Sequence, residues 1–445
     1  MQTSFSLAAL ADPDTARAEK ILRACVHCGF CTATCPTYLE TGDELDSPRG
    51  RIYLIKEMLE NARDGDARTA RHLDRCLTCL SCMTTCPSGV DYRHLVDHAR
   101  LHIERTFARP APQRALRALL AHVIARPDLF RLALRSAALA RPFAALLPKS
   151  LRAMLELAPA RLPPPSPVDR PQSFPAQGRR RMRVALLSGC AQTVLDANNN
   201  AATVRLLTRL GVEVVVVPGV SCCGALPHHL GRDAEARAFA RRNIAAWMRE
   251  IGAPGLDAIV ANASGCGAHL RDYGHLFQDD AELAAPAAQI SARVRDVSEL
   301  VAALDYAPKG PPPALTIAYH SACTLGHGQK ITSEPLALLR AAGFAATLVP
   351  ESHICCGSAG TYNLLQPELA AALRRRKVEN LESLEPDAIA AGNIGCITQI
   401  RSGTQIPVAH VVELLDWASG GPRPPALEAI SHPANAVREA RAAPA

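Results

Sequence analysis

The chain has 445 residues, 48% of them hydrophobic and 20% charged, a balance that excludes a disordered polypeptide and points to about three globular domains. The uncharged stretch 214–231 is broken by Pro218, Gly219, Gly224 and Pro227, so it reads as a buried strand and loop and not as a membrane span. A net charge of +7 comes with no recognised nucleic-acid motif, so nucleic acid is not an expected partner.

The first expected domain, residues 1–105, carries two matched cysteine blocks. Cys25, Cys28, Cys31 and Cys35 are followed by Pro36, and Cys76, Cys79, Cys82 and Cys86 by Pro87, each cysteine of the second block lying 51 residues after its counterpart. Three thiolates two residues apart can wrap one cubane, while the fourth, turned away before proline, reaches the other. The expected ligands are Cys25, Cys28, Cys31 and Cys86 for one [4Fe–4S] cluster, and Cys76, Cys79, Cys82 and Cys35 for the second. Disulfides fit poorly, because residues 1–14 lack a basic, apolar secretory leader and a reducing cytoplasm is expected. Zinc fits poorly too, since its sites pair CxxC motifs or mix cysteine with histidine. Ile52, Ile55 and Leu59 form one apolar helical face over 49–60, and a further helix is expected over 94–105, so this domain should be mainly helical.

Residues 106–162 concentrate the charge: ten arginines and lysines stand against Asp128 and Glu156 between positions 106 and 161. Leu116, Leu119, Leu120 and Val123 fall at helical spacing, and Pro127, Pro142 and Pro148 divide the segment into two or three short amphipathic helices. Such a segment either touches an anionic membrane surface or acidic partner, or packs as a basic face against the protein's own domains. Residues 163–182, opening on Pro163-Pro164-Pro165-Ser166-Pro167, read as a proline-rich linker.

Beyond it, apolar β-branched runs alternate with helical stretches, the pattern of α/β units with parallel sheets. Cys190, Cys222-Cys223-Gly224 and Cys266 recur as Cys323, Cys355-Cys356-Gly357 and Cys396, at offsets of 133, 133 and 130 residues. Two duplicated lobes, 183–305 and 312–417, are therefore expected. Strands are expected at 184–187, 212–217 and 258–261 in the first lobe, and at 315–319, 345–349 and 388–391 in the second. Every cysteine then falls in a loop beyond the carboxyl end of a strand, where open parallel sheets place ligands. The candidate metal ligands are Cys190, Cys222, Cys223 and Cys266 in one lobe and Cys323, Cys355, Cys356 and Cys396 in the other; four thiolates suit zinc or an iron–sulfur centre. The chain from 418 to 445, rich in proline and alanine, is expected to be a flexible tail. The fold class expected is thus α + α/β.

These motifs resemble a known family. A duplicated Cys-Cys-Gly domain behind a two-cluster ferredoxin module is similar to the iron–sulfur subunits of glycolate oxidase (glycolate dehydrogenase), and to those of lactate-utilisation, anaerobic glycerol-3-phosphate dehydrogenase and heterodisulfide reductase complexes. The strings Ile21-Leu22-Arg23-Ala24-Cys25-Val26-His27-Cys28-Gly29-Phe30-Cys31, Ser47-Pro48-Arg49-Gly50-Arg51-Ile52-Tyr53-Leu54-Ile55-Lys56 and Asp74-Arg75-Cys76-Leu77-Thr78-Cys79 look most like the glycolate oxidase members. The resemblance implies an electron-transfer subunit that serves an FAD-containing partner oxidising glycolate to glyoxylate, and passes electrons towards a quinone or other acceptor. A cytoplasmic location is expected from the free thiolates, and docking of the basic helices on the inner face of the cytoplasmic membrane is one reading of their charge. No Gly-x-Gly-x-x-Gly occurs, so neither flavin nor NAD is expected on this chain, nor any catalytic residue for the substrate. The alternatives are the same role for lactate or glycerol 3-phosphate, and a zinc-bound assembly scaffold.

The heterodisulfide reductase branch ends each Cys-Cys-Gly domain in C-x2-C, whereas here His269 and Gln399 stand three residues after Cys266 and Cys396. Each lobe is one thiolate short, so noncubane clusters and disulfide reduction are not carried over. His269 is an alternative ligand for the first lobe, but the leading reading for it, and for His228, His229, His320, His327, His353 and His410, is a histidine satisfied by hydrogen bonding.

Overall fold

A computed structural model describes residues 1–142, 155, 158–159, 162–309 and 314–428. The amino-terminal part is built from the helices Pro13–Ala24, Pro48–Glu60, Ala67–Asp74 and Tyr92–Thr106. Pro48 opens its helix at the first position, where no amide donor is needed, and the Ser47 hydroxyl accepts from the Gly50 N–H at 2.9 Å. Leu22, Ile55, Met58, Leu73, Leu95 and Ala99 close a core that backs directly onto Cys25, Cys76 and Cys82.

Of the basic segment, two helices are described, Ala111–Ile124 and Pro127–Ala140, parted where Pro127 forces Arg126 into an extended conformation. The expected third helix, beyond Pro142, lies outside the described residues. Among the described residues these arginines mostly point inward. Arg109 pairs with Asp74 at 2.6 Å and Glu104 at 3.1 Å, Arg117 lies 3.5 Å from Asp74 and donates to the Leu230 carbonyl, and Arg131 donates to the Thr193 carbonyl at 3.1 Å. Of the two expected readings, packing against the protein itself accounts for these side chains.

The proline-rich stretch 163–182 is more than a linker. Gln172–Phe174 forms β1, antiparallel to an edge of the first sheet, with Phe174 packed on the core. Pro171 and Pro175 bracket this strand, a placement that an edge tolerates and that hides the strand from a sequence reading.

The first sheet continues with β2 (Met182–Leu186), β3 (Val212–Val216), β4 (Ala258–Ala261) and β5 (Val294–Asp296), in the order β1-β3-β2-β4-β5 and parallel apart from β1. The second holds β6 (Thr316–His320), β7 (Ala345–Leu348), β8 (Ala388–Ala391) and β9 (Val408–His410), all parallel, in the order β7-β6-β8-β9. Without β1 the two orders coincide. In both, the chain leaves the first parallel strand to one side and then crosses to the other, which opens a crevice at the carboxyl ends of β2 and β4, and of β6 and β8.

The two sheets share one core: Val184, Leu206 and Val214 are continuous with Ile317, Leu339 and Val412. Between the sheets, buried Asp416 pairs with Arg205 at 2.7 Å and with Arg209. Leu427, in the stretch expected to be flexible, is buried in the same core, where the short turn Pro425–Leu427 carries it. The tail beyond 428 lies outside the described residues.

Candidate functional site

In the amino-terminal blocks, proline sets the direction of the fourth cysteine. Cys35 (φ −85°, ψ 112°) and Cys86 (φ −75°, ψ 114°) take the same extended conformation, which the following Pro36 and Pro87 impose. Between the first cysteines the loops match as well. His27 and Thr78, and Gly29 and Leu80, occupy equivalent positions and all have left-handed φ, from 51° to 87°. Thr78 and Leu80 hold this costly conformation without being glycine, as residues at built sites often do.

Cys25, Cys28, Cys31 and Cys86 line one cavity, with Cys82 at its inner wall. Cys28 is exposed, beside Val26 and Phe30, which are 66% and 61% exposed. Cys35, Cys76, Cys79 and Cys82 lie within electrostatic reach of one another farther inside. Burial pushes the Cys31 thiol up to about 11 and raises Cys79 and Cys82 well above the ordinary thiol range, with neighbouring sulfurs adding to it. Cys76 goes the other way: burial opposes its ionisation, but the guanidinium groups of Arg51 and Arg100 outweigh that and lower its pKa. The Thr78 N–H and Tyr92 hydroxyl donate to Cys76 Sγ at 3.4 and 3.7 Å, and Arg51 Nη1 donates to Cys35 Sγ at 3.8 Å.

In the lobes, Cys190 and Cys222-Cys223 follow β2 and β3 in loops, as expected. Cys266 and Cys396 do not sit in loops: they lie in the first turns of the helices Ser264–Leu270 and Ile394–Arg401, which begin almost directly after β4 and β8. Gly224 and Gly357 have φ of 92° and 87°, and a Cβ at either would meet the carbonyl oxygen of Ala236 at 2.9 Å or Ala370 at 2.6 Å. Glycine is therefore what lets the tandem cysteines turn inward.

Each thiol in a lobe interacts with the next, giving the strings Cys190–Cys222–Cys223–Cys266 and Cys323–Cys355–Cys356–Cys396; Cys323 Sγ is 3.9 Å from Cys355 Sγ. Neighbouring thiols and burial raise the pKa of the first three thiols of each string, so these buried groups cannot ionise together without a cation. A thiophilic metal centre supplies that charge, and the donor set fits one. Both strings face one chamber of about 480 Å³, whose remaining wall includes Cys76 to Thr78, Leu120, Val123 and Phe130. Cys79 reaches Cys323 and packs with Cys355.

Several of the histidines have the partners expected of them. His410 bonds the Asn262 carbonyl at 2.7 Å, and His327 the Thr84 hydroxyl at 2.8 Å. His269 and His320 depart from the expectation: both are buried, and neither ring nitrogen of either has a hydrogen-bond partner among the described residues. Burial pushes His320 down to about 3, so its imidazole is neutral. Gln399 instead donates to the Ala370 carbonyl at 3.2 Å. Sequence reasoning also missed the cations. Arg51, Arg100 and Lys377 look like solvated charges in helical runs, yet all three are buried near cysteines; Asp46 beside Arg51 was the available signal, as a possible buried ion pair.

A family model for a 4Fe-4S dicluster domain matches residues 21–90, and one for a cysteine-rich domain matches twice, at 184–271 and 317–401. The chain is 44% identical to the glycolate oxidase iron–sulfur subunit of Escherichia coli (strain K12), over 94% of this chain and 99% of that one. It is 32% identical to the probable glycolate oxidase iron–sulfur subunit of Bacillus subtilis (strain 168), over 90% and 95%. Lactate utilization protein A of Bacillus velezensis is 28% identical over 53% of this chain and 99% of its own length. Among solved structures, a hypothetical protein from Helicobacter pylori superposes with a TM-score of 0.50 at 12% identity, covering 93% of this chain and 73% of that one, a likeness of fold alone.

Proposed function

From the premise that the chain belongs to the family of glycolate oxidase iron–sulfur subunits, we propose that it is the electron-transfer subunit of a complex oxidising glycolate. In this reading Cys25, Cys28, Cys31 and Cys86 hold one [4Fe–4S] cluster and Cys76, Cys79, Cys82 and Cys35 a second. Each lobe's four cysteines take part in a further iron–sulfur centre. Bound clusters supply one-electron redox capacity, with potentials set by hydrogen bonds, nearby charge and burial. Substrate chemistry belongs to an FAD-containing partner, and a quinone or similar molecule is the acceptor. The division of the chain follows the same reading: a helical cluster domain to about residue 105, then two cysteine-rich lobes.

The observation that carries the proposal is the continuity of sulfur donors. They run from exposed Cys28, through Cys82 and Cys79, to Cys323 and Cys355, and so to the chamber that both lobes face. The chain's own residues fix the conditions along this line. Thr78 and Tyr92 donate to the Cys76 sulfur, Arg51 and Arg100 place positive charge beside it, and Leu120, Val123 and Phe130 give the chamber an apolar wall. The exposed apolar rim of Val26 and Phe30 beside Cys28 is where the flavoprotein would dock. Among the described residues no helix is long and apolar enough to cross a membrane. Peripheral contact, within this proposal, would use exposed Leu132 and Leu139 rather than the internally paired arginines.

The test is substitution of Cys25 or Cys76 by serine in the anaerobically isolated chain. Each should remove one cluster's spectrum and about four irons, and abolish electron transfer in the reconstituted complex. Unchanged iron, labile sulfide and spectra in both variants would defeat the assignment. Lactate and glycolate offered to the same complex distinguish the two donors.

A further inference from the structure

We infer that His320 is a ligand of the metal centre in the second lobe, making that centre a mixed cysteine–histidine site while its counterpart in the first lobe is held by thiolates without a histidine. The inference rests on the reading that the second lobe holds an iron–sulfur centre. His320 ends β6, three residues before Cys323, at the crevice where the cysteines converge. One of its ring nitrogens, Cys356 Sγ and Cys396 Sγ all lie within 4.8 Å of one another, and all three residues are buried. The side chain is 1% exposed, and neither ring nitrogen has a hydrogen-bond partner among the described residues. A buried imidazole left without partners is costly, and a metal bond removes that cost.

The sequence offset sharpens the case. The position equivalent to His320 in the first lobe, 133 residues earlier, is Leu187, which cannot ligate. His269 has no counterpart contact: it lies among His228, His229 and Tyr273, and among the described residues no group of candidate ligands forms around it. Four thiols and an imidazole are also one donor more than a tetrahedral structural zinc accepts, whereas a centre with several irons can use all five. The second lobe thereby recovers the ligand that the missing cysteine after Cys396 would have supplied, and recovers it from a different strand. A neutral nitrogen in place of a fifth thiolate raises a cluster's reduction potential, so the centre should be more easily reduced than the same centre with a cysteine at position 320.

The experiment uses the full chain, isolated anaerobically with natural-abundance or ¹⁵N-labelled histidine and poised at a series of potentials for pulsed EPR. The expected result is one centre with a strongly coupled nitrogen that responds to the label. His320→Cys should abolish that coupling, keep the iron and sulfide content, and shift the centre's potential downward. Cys356→Ser should remove iron from the same centre. If Cys356→Ser removes iron but no histidine nitrogen couples to any centre, the ligand assignment is wrong and the reading beneath it stands. If Cys356→Ser and His320→Ala both leave iron and sulfide unchanged, or the lobe holds zinc, both fail together. The labelled wild-type spectrum decides the matter even if a variant does not fold.

Discussion

Lys377 is fully buried in the Pro367–Glu382 helix, donating to the Glu351 carbonyl at 2.8 Å near Cys355 and Cys356. Burial lowers its pKa, and the neighbouring sulfurs and Glu351 oppose that shift, so an ammonium here would be a counter-charge for that lobe's thiolates. Lys377→Met should leave the Glu351 carbonyl unpartnered at a cost of about 1–3 kcal/mol. It should also shift the second-lobe centre to lower potential in a spectroelectrochemical titration; an unmoved potential would remove Lys377 from the account. Gly357→Ala combines a left-handed φ with a carbonyl 2.6 Å from the new Cβ and should cost roughly 3 kcal/mol, whereas Gly252→Ala, with open space around it, should change stability by less than about 1 kcal/mol. Anaerobic denaturation of both variants measures the contrast. At this scale the cysteines were legible because their spacing is the chemistry. Lys377 was not, because it closes the run Arg374-Arg375-Arg376-Lys377, which in sequence reads as one solvated face.

The joint between the Tyr92–Thr106 helix and the first lobe is electrostatic. His94 Nε2 lies 2.9 Å from Asp272, its other nitrogen bonds Asp91, and the ring stacks on His275 with centroids 3.5 Å apart. Burial opposes its charge, but the two carboxylates prevail and lift its pKa to about 9. A folded pKa above the unfolded value of about 6.5 means a contribution complete below that pH and lost as pH rises through about 9; allowing for partial solvent screening it is of order 1–3 kcal/mol. His94→Gln should therefore lower the denaturation midpoint at about pH 6 and match the wild type near pH 10. A difference that persists unchanged at the higher pH would contradict this. The elements themselves were partly legible. The strands β2, β3, β4, β6, β7 and β8, all but the edge strand β7 largely buried, and the helices Pro48–Glu60 and Tyr92–Thr106 announce themselves by apolar runs or one-sided periodicity. β1, β5 and β9 have three residues each, too few for any period to register, and β1 is flanked by proline. Amphipathicity could not say what Arg117 of Ala111–Ile124 would meet, because Asp74 and Leu230 come from distant chain.

Across the whole molecule, the repeated cysteine offsets foretold two similar sheets but not their arrangement. The two sheets share a core and turn both thiol strings towards one chamber, which also meets the Cys76–Thr78 loop of the helical part. That convergence depends on contacts such as His410 with Asn262 and Asp416 with Arg205, which no local pattern encodes. It gives the chain a single line of sulfur from its surface to its interior. The most direct measurement is iron and acid-labile sulfide in the anaerobically isolated full chain, followed by a redox titration of its visible and EPR spectra. The account predicts more than about eight irons with matching sulfide and several reducible centres. A colourless protein carrying zinc, with no labile sulfide and no reducible paramagnetic centre, would contradict it.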